Sequence, residues 1–515
     1  MSLAAGVAGG TALAGVLMRR QAPGVITGRP MLPDGVQSGD VGPDRAVLWA
    51  RADRPARLRL RYAYTESMAD AVTVAGPEVL SASDFTGRLD LKQLRPGQQV
   101  FYELWCEDLA DLKTVSAPMK GRFRTPERLG GLPSKPLRLV WGGDIAGQGY
   151  GISPEAGGYR IFDAMAERDP DVFVHCGDMM YADVPIPERV QLPEGGVWRN
   201  IVTEATSKAA ETLDEFRGRY RYNFMDDHLR RFNAQVPQII TWDDHEITND
   251  WHPCGEIWRS TAHYPTVRSM QLLRARARRA LVEYTPLRWS AVDPERIYRV
   301  VPLGPLAEVF VLDNRSHRGR STHNTQTVQG DYTQWLGAEQ RRWLVQQLKA
   351  SRATWKIISV GNPVGVVIRH GDTAFEGVAN AEPGTPKGRE LELAALLTEM
   401  KAAGVKNVVW LTADVHYAAA HHYDPSRGQG VDFEPFWEFV AGPLHAGTFG
   451  PNDLDPTFGP EVRFQKAAGA IKNLSPSAGL QFFGEVEIEP QSKVMTVTLR
   501  DREGASIWSI TLPPV

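Results

Sequence analysis

Six near-continuous apolar runs, each ending in residues with oxygen or nitrogen donors, constrain the fold of this chain more than any other feature. The runs are LRLVWGGD, DVFVHCGD, PQIITWDDHE, EVFVLDNR, WKIISVGN and NVVWLTADVH. Most are followed by helix-like stretches, such as AEQRRWLVQQLKAS and ELELAALLTEMKAAG. Val/Ile/Leu runs that alternate with amphipathic helices indicate a sheet buried on both faces. The sequence therefore predicts an α/β domain over residues 136–515.

The region before this domain has a different pattern. Between Met31 and Arg124, short runs such as ARLRLRYAY and QQVFYELWCED alternate apolar and polar residues, as half-buried strands do. We expect a small antiparallel β-sandwich over residues 31–124, joined to the larger domain by the linker RTPERLGGLPSKP. Near the C-terminus, FFGEVEIEP and KVMTVTLRDREG predict antiparallel strands at one edge of a second sheet.

Residues 1–30 are expected to be a signal-like or disordered segment. Met1 to Met18 is Ala/Gly-rich and uncharged, and Arg19-Arg20 follows it. This stretch has too few large apolar residues for a spanning helix, and it lacks the basic residues that precede the apolar part of an export signal. We expect an exported protein, periplasmic or secreted, whose N-terminal signal is incomplete; a disordered tail is the alternative. No integral membrane domain is expected.

Charge and cysteine content exclude several classes of partner. The chain of 515 residues has 58 Lys+Arg and 61 Asp+Glu, a formal net charge of -3, with both signs mixed along its length. There is consequently no nucleic-acid-binding signature. The 3 cysteines show no Cys-x-x-Cys spacing, which argues against a disulfide framework and a thiolate zinc site.

The donors at the ends of the apolar runs predict a metal site. They are Asp144, Asp178, Asp243-Asp244-His245, Asp313 with Arg315, Asn362, and Asp414 with His416. A single strand-terminal Asp is usually a cap or turn residue, but open α/β sheets place their ligand site beyond the carboxyl ends of the strands. Because all six runs end in such donors, several carboxylates would repel one another unless cations compensate them. We therefore expect two metal ions bridged by one Asp and a hydroxide. The carboxylate-rich set suits Ca, Mn or Fe, and Zn as a further alternative.

Tyr181 and Asp183, which follow Asp178 in the sequence, extend this prediction. Tyr181 would face the same way as Asp178 if the turn continued as a helix, and a tyrosinate is a ligand for ferric iron. A buried structural Tyr is the alternative. Asp183 is interpreted as a helix cap, and the alternative is that it supports the residues of the metal site.

These motifs also resemble a known family. GDMMYAD, TWDDHEITND, LDNRSHR and TADVH are similar to blocks of the alkaline phosphatase D (PhoD-like) family of calcineurin-like metallophosphatases. GVQSGDVGPDRAVLWARAD is similar to that family's N-terminal domain, so the resemblance covers nearly everything from Leu32 onward. It implies a four-layer α/β/β/α core after a small β-domain. It further implies a multinuclear site with iron and calcium.

The resemblance also implies roles for single residues. Metal ligands would be Asp144, Asp178 as the bridge, Tyr181, Asp244, Asp414 and His416. His245 would contact the phosphate or the leaving group, and Asn362 would replace a further His ligand or bind substrate. The sequence departs from the family two residues after Asp144. There the superfamily has His and PhoD-like phosphatases often have Cys, but this chain has Ala146.

Further roles follow from side-chain chemistry. Arg315 is predicted to clamp phosphate, because guanidinium matches its oxygens; an ion pair with Asp313 or another strand-end carboxylate is the alternative. His245 is predicted to protonate the leaving oxygen, with a structural His bound to a carboxylate as the alternative. His317 and Arg318 are weaker substrate candidates, and His421 and His422 are expected at the surface.

The function these residues predict is metal-dependent phosphoester hydrolysis. A metal-bound hydroxide would attack phosphorus in line, on a monoester or diester of a small molecule or of a phospholipid headgroup. The alternative is a non-catalytic phosphate- or phospholipid-binding protein on the same fold, which Ala146 favours because it removes a ligand.

Overall fold

Strands build most of the first part of the chain, and strands alternate with helices in the rest. The computed structural model describes residues 28–253, 255, 257 and 263–515. The first strands are β1 (Val36–Gly42), β2 (Arg45–Arg51), β3 (Ala56–Ala63), β4 (Val72–Val79), β5 (Thr86–Lys92), β6 (Gln99–Asp108) and β7 (Met119–Arg124). The later elements are β8 (Leu137–Gly142), α1 (Ile161–Ala166), β9 (Val172–His175), β10 (Arg189–Gln191), β11 (Val197–Arg199), α2 (Leu213–Asn223), α3 (Asp227–Gln235), β12 (Gln238–Ile240), α4 (Met270–Tyr284), β13 (Arg299–Pro302), β14 (Ala307–Val311), α5 (Ala338–Ala350), β15 (Trp355–Ser359), β16 (Arg369–His370), β17 (Ala374–Phe375), α6 (Glu390–Ala402), β18 (Val408–Thr412), β19 (Ala418–Tyr423), β20 (Phe436–Val440), β21 (Pro460–Lys466), β22 (Phe482–Ile488), β23 (Met495–Asp501) and β24 (Ser506–Leu512).

The six apolar runs form the parallel centres of two sheets. β8, β9 and β12 are parallel neighbours in a nine-stranded sheet with the order β24-β23-β22-β8-β9-β12-β1-β2-β5. β14, β15 and β18 are parallel neighbours in a seven-stranded sheet with the order β13-β14-β15-β18-β20-β19-β21. The prediction of a mixed α/β fold with large buried sheets is confirmed.

Alternate side chains of these strands pack on opposite faces, as the two-residue period of a strand requires. Trp141 of β8 belongs to an apolar cluster that also contains Val309 of β14 and Leu411 of β18. Its neighbour Val140 belongs to a second cluster, with side chains of α1, α2, α3 and α4. A third cluster combines Phe310 of β14 with side chains of α5 and α6. Each large apolar side chain buried in this way contributes about 1.5–3 kcal/mol.

The strands of residues 31–124 are divided between two sheets. β1, β2 and β5 extend the nine-stranded sheet, whereas β3, β4, β6 and β7 form a four-stranded sheet. Leu48 of the first group and Leu58 and Tyr102 of the second share one apolar cluster. β1 joins the large sheet because Gly39 lies opposite Gln238 of β12. A Cβ on Gly39 would lie 2.7 Å from the Gln238 carbonyl oxygen, so only glycine permits this approach.

The C-terminal strands lie at the other end of the same sheet. β22 pairs antiparallel with β8, and β23 and β24 follow it to the edge. The expected antiparallel edge is therefore present, and it belongs to the sheet that holds the first three apolar runs. Among the described residues, no helix has the length and apolarity needed to cross a bilayer. The predicted signal segment falls largely on residues 1–27, which lie outside the described residues.

Candidate metal centre

The carboxyl ends of the parallel strands bring the predicted residues into one buried centre. Asp178, Asp244 and His245 offer ligand atoms that all lie within 4.8 Å of one another, and so do Asp243, Asp244 and Asp414. Asp244 belongs to both groups. The two sheets therefore deliver their strand-end donors to a shared site.

Unusual backbone conformations aim several of these side chains. Asp144, Asp178, Asp414 and His416 have φ values of 70°, 55°, 66° and 59°, in the left-handed region. Residues other than glycine rarely adopt this region, although Asp and His tolerate it better than most. Such strain collects at functional sites, where the surrounding fold maintains it.

Glycines next to the carboxylates leave the room they need. A Cβ on Gly442 would lie 2.4 Å from Asp144 Oδ2, and a Cβ on Gly361 would lie 2.4 Å from Asp243 Oδ2. Any side chain at either position would displace a carboxylate from the centre.

Asp144, Tyr181 and His416 meet in the centre. His416 Nε2 lies 2.8 Å from the Tyr181 hydroxyl and 3.4 Å from Asp144 Oδ1. His416 Nδ1 bonds the carbonyl oxygen of Gly447, which can only accept, so Nδ1 carries a hydrogen. In the neutral ring Nε2 is then an acceptor, which is the state required of a metal ligand. Burial raises the pKa of Tyr181 well above its usual range.

Tyr181 reaches this position without a helix. The backbone from Asp178 onward is an irregular turn, so the helical spacing considered above does not apply. The Tyr181 ring instead stacks on His245, with 4.1 Å between ring centroids.

His245 is held by Asp183, whose interpretation as a helix cap is wrong. No helix begins at Asp183; its Oδ1 lies 2.7 Å from His245 Nδ1, and its Oδ2 accepts a hydrogen bond from the Asn249 backbone N–H at 2.8 Å. Both bonds cross more than sixty residues of sequence, so the local pattern around Asp183 gives no signal for them. Asp183 fixes the orientation of the His245 ring.

Glu246 joins the ends of β9 and β12. Its carboxylate accepts hydrogen bonds from the backbone N–H groups of Asp178, Met179 and Asp243, at 3.1, 2.6 and 2.8 Å. Burial raises the pKa of this carboxyl to about 8. Glu246 directly follows His245 in the TWDDHE run, but nothing in that run predicts its contacts with the backbone of β9 and β12.

Arg315 lies between the carboxylates as a buried cation. Its guanidinium contacts Asp243 and Glu376, and its Nη2 lies 3.4 Å from Asp244 Oδ1 and 3.6 Å from Asp414 Oδ1. The side chain is fully buried. This arrangement is the ion-pair alternative considered above, and its role as a phosphate clamp stays a prediction.

Asp313 shapes the turn that carries Arg315. Its Oδ1 accepts hydrogen bonds from the backbone N–H groups of Arg315 and Ser316 and from Trp242 Nε1, at 3.1, 2.9 and 3.0 Å. Asp313 therefore acts as a turn residue, the common role of a strand-end Asp.

Asn362 is bound to neighbouring polar side chains. Its Nδ2 donates to Glu376 Oε2 at 3.1 Å, and its Oδ1 accepts from Asn314 Nδ2 at 2.6 Å. Substrate binding by Asn362 stays a prediction. Sequence reasoning missed Glu376 because it lies in the loop segment GDTAFEG, which has no apolar run to mark it.

The carboxylates differ in how their charge is compensated. Burial raises the pKa of Asp178 and Asp414 well above the usual range and that of Asp243 to about 6. Burial acts in the same direction on Asp244 and Glu376, but Arg315 acts with His245 and the Asp250 backbone N–H on Asp244, and with Arg318 on Glu376. Together these groups outweigh burial and hold both pKa values below the usual range.

Several buried carboxylate oxygens have no hydrogen-bond partner among the described residues. These oxygens are Oδ1 and Oδ2 of Asp144, Oδ2 of Asp243 and Oδ1 of Asp244. A buried acceptor without a partner is costly, and oxygen donors are what hard cations bind. The donor set thus fits bound metal ions.

Ala146 contributes no side-chain ligand, and Cys176 does not replace it. Ala146 is buried and its backbone N–H donates to the His445 carbonyl at 2.7 Å. Cys176 lies 3.5 Å from Ser359 Oγ, and burial raises its pKa to about 12, so the thiol is protonated and structural.

His421 is buried, so the expectation that it lies at the surface is wrong. β19, which carries it, lies between β20 and β21, and His421 Nδ1 is 3.1 Å from Glu438 Oε2. His422, its neighbour on the strand, is half-buried.

Two solved structures share this fold. A structure of PhoD matches 96% of this chain and 90% of its own, with a TM-score of 0.70 and 20% identity. The purple acid phosphatase PPD1 from yellow lupin (Lupinus luteus) seeds matches 94% of this chain and 74% of its own, with a TM-score of 0.59 and 13% identity. The fold is therefore the one found in PhoD and in this purple acid phosphatase.

Sequence comparison gives the family. The PhoD-like phosphatase model matches residues 139–499, and the model of the PhoD-like phosphatase N-terminal domain matches residues 19–127. The chain belongs to the PhoD-like phosphatase family. Alkaline phosphatase D of Bacillus subtilis (strain 168) is 28% identical over 346 residues, which are 64% of this chain and 53% of that protein. The match thus spans about half the length of this relative.

Proposed function

We propose that this protein is a metal-dependent phosphoester hydrolase that acts on phosphomonoesters or phosphodiesters. The observation that carries the proposal is the pair of donor groups that share Asp244, whose buried oxygens include several without a protein partner. Membership of the PhoD-like phosphatase family supports the same chemistry.

The residues that would hold the metal ions are those gathered at the strand ends. They are Asp144, Asp178, Tyr181, Asp244, Asp414 and His416, of which Asp244 belongs to both donor groups. When bound, metal ions supply Lewis-acid activation of water and of the phosphoryl group. We propose iron and calcium by family resemblance, with Mn or Zn as alternatives.

Other side chains would donate a proton to the leaving group or position the carboxylates and the substrate. Asp183 binds His245 Nδ1, so Nε2 is the ring nitrogen that serves to protonate the leaving oxygen. Arg315 keeps Asp243 and Glu376 in place and adds positive charge beside the phosphoryl group. Asn362, fixed by Glu376, would bind a substrate oxygen.

The wider organisation follows the family. We propose residues 31–124 as the β-sandwich accessory domain and residues 136–515 as the catalytic domain with helix, sheet, sheet and helix layers. The three apolar clusters support this layering. We further propose that the protein is exported, on the basis of the apolar segment before Arg19.

Elemental analysis combined with a substrate panel tests the proposal. We expect purified, metal-reconstituted protein to retain metal and to hydrolyse p-nitrophenyl phosphate or bis-p-nitrophenyl phosphate. Asp178→Asn should abolish turnover and reduce metal content, whereas Asp293→Asn, at an exposed loop position, should change neither. Absence of both metal and turnover in the unsubstituted protein would contradict the proposal.

A non-catalytic phosphate-binding protein is the second candidate, because Ala146 provides no ligand where the family often has one. Binding of phosphate without turnover, unchanged in Asp178→Asn, would support this alternative. Turnover that disappears in a folded Asp178→Asn protein would exclude it.

A further inference from the structure

A cavity of about 890 Å³ borders the loop that carries Arg315. Its wall is formed by residues 316–320, by residues within 331–339, and by His252, Pro253 and Gly255. Two of these segments start from the metal centre, because Ser316 directly follows Arg315 and because the Asp250 backbone N–H donates to Asp244 Oδ2 at 2.7 Å. The cavity is therefore next to the centre without sharing its metal-binding side chains.

Two buried polar side chains in this wall have atoms without a partner. Ser316 is 7% exposed and Arg318 is 3% exposed. Neither Ser316 Oγ nor Arg318 Nε has a hydrogen-bond partner among the described residues. The other nitrogens of the Arg318 guanidinium contact Glu376, which holds the group in place. A buried donor without a partner is energetically costly, so two in one wall indicate a ligand.

The start of α5 lies in the same wall. Gly337, Ala338 and Glu339 line the cavity, and α5 begins at Ala338. The residue before the helix, Gly337, has no side chain to cap it. The first N–H groups of a helix carry partial positive charge and bind anions.

The charges around the cavity divide into an inner wall and a rim. Arg318 is buried in the wall, whereas Arg320, Asp331 and Glu339 are exposed at the rim, where solvent screens them. Burial, followed by the positive charges of Arg318 and Arg320, lowers the pKa of His252 to about 4. The charge that lies inside the wall is therefore the cation Arg318, and both arginines lie close enough to act on His252.

We propose that this cavity is a second anion site, which takes a phosphate-type oxyanion on Ser316, Arg318 and the N-terminus of α5. The oxyanion is either a distal phosphate of the substrate or free inorganic phosphate. The first source rests on the proposed hydrolase function, whereas the site itself does not. An anion bound in this cavity would give a role to His317 and Arg318, which both line it.

Two substitutions at Ser316 test the site. Ser316→Asp places a carboxylate beside Arg318 and should exclude an anion. Ser316→Ala removes only the hydroxyl and should weaken binding about tenfold, the effect of one charge-assisted hydrogen bond. Ser67→Asp, at an exposed position of the loop between β3 and β4, is the charge-matched control.

Calorimetric titration of the metal-loaded protein with inorganic phosphate gives the stoichiometry without requiring turnover. We expect one more phosphate per chain in the unsubstituted protein and in Ser67→Asp than in Ser316→Asp. Equal stoichiometry in all three, with unchanged affinity in Ser316→Ala, would overturn the proposal. If no ester is hydrolysed but the Ser316-dependent phosphate is found, the hydrolase proposal fails and the anion site stands.

Kinetics with alkanediol bisphosphates of increasing chain length, each compared with its monophosphate, identify the source. A KM about tenfold lower for one bisphosphate, lost in Ser316→Asp, assigns the site to a distal phosphate of the substrate. Absence of this advantage, together with the Ser316-dependent titration, assigns it to free phosphate.

Discussion

The two sides of the metal centre differ in whether the protein itself supplies positive charge. Asp144 and Asp178, after β8 and β9, have no Arg or Lys partner among the described residues, and burial raises the pKa of Asp178. Asp244 and Glu376 face Arg315, and their pKa values are held below the usual range. The first side therefore has no cation from the described part of the protein. On the second side Arg315 lowers the pKa of two carboxylates, while burial keeps the pKa of Asp243 and Asp414 raised.

Arg315 suits the compensated side because a guanidinium is planar, always charged and carries several donors. It contacts four carboxylates at once, which a lysine ammonium could not match in the same geometry. Buried ion pairs add little net stability, but removal of one partner leaves costly uncompensated charge. From this difference between the two sides of the centre we make four predictions, given from the largest expected effect to the smallest.

Arg315→Met should have the largest effect on stability. The substitution leaves Asp243 buried without a cation and leaves Glu376 with Arg318 alone, and we expect a loss of about 3–5 kcal/mol in the free energy of unfolding. Urea denaturation of the metal-free protein measures it, with exposed Arg320→Met as the control. A loss below about 1 kcal/mol would show that Arg315 does not compensate this side.

Chelation of the metal ions should lower the stability of the protein through the side that contains Asp144 and Asp178. Ligand binding to the folded state alone stabilises by about 3–4 kcal/mol when the free ligand is 100 to 1,000 times its Kd. We expect this stabilisation to disappear on chelation in the unsubstituted protein and to be largely absent from Asp178→Asn. Thermal unfolding with and without added metal measures both. Equal metal stabilisation in the two proteins would contradict the role of Asp178.

Neutralising one carboxylate on each side of the metal-free protein should have opposite effects. Asp178→Asn removes a buried charge that has no cation, so we expect a gain of roughly 1 kcal/mol. Glu376→Gln breaks the contacts with Arg315 and Arg318, so we expect a loss of roughly 2 kcal/mol. Urea denaturation distinguishes them, and changes of the same sign would remove the proposed difference between the sides.

A buried acid away from the centre should show the smallest effect. Burial, followed by the charge of Asp455, raises the pKa of Glu390 to about 8. Protonated Glu390 contributes fully to the free energy of unfolding below its usual pKa of 4.5. This contribution is lost as the pH rises towards 8. In the unsubstituted protein we expect the free energy of unfolding to fall by about 1 kcal/mol from Glu390 alone between about pH 6 and about pH 7. Glu390→Gln should remove this part of the fall. Urea denaturation at both pH values tests this, and exposed Glu66→Gln should keep the original slope.

The comparison also shows how far sequence reasoning reaches. Asp144, Asp178, Asp244 and Asp414 could be predicted because each ends an apolar run, and parallel strands end at the same edge. Glu376 could not, because no periodic pattern marks its loop.

Two further features depend on contacts between distant parts of the chain. The local sequence favours a helix cap at Asp183 over a supporting role in the site, because the bonds of Asp183 to His245 and Asn249 cross more than sixty residues. The continuity of β1 with the large sheet depends on contact between Gly39 and Gln238, which are far apart in sequence.

The sequence by itself determined the alternation of strands and helices, the donors at the strand ends and the family. These properties are local, because hydrophobic period and residue type are read within a few positions. The tertiary structure decided which acids receive Arg315 and which remain without a cation. That choice depends on distances between separate strand ends, and burial turns those distances into differences of charge state.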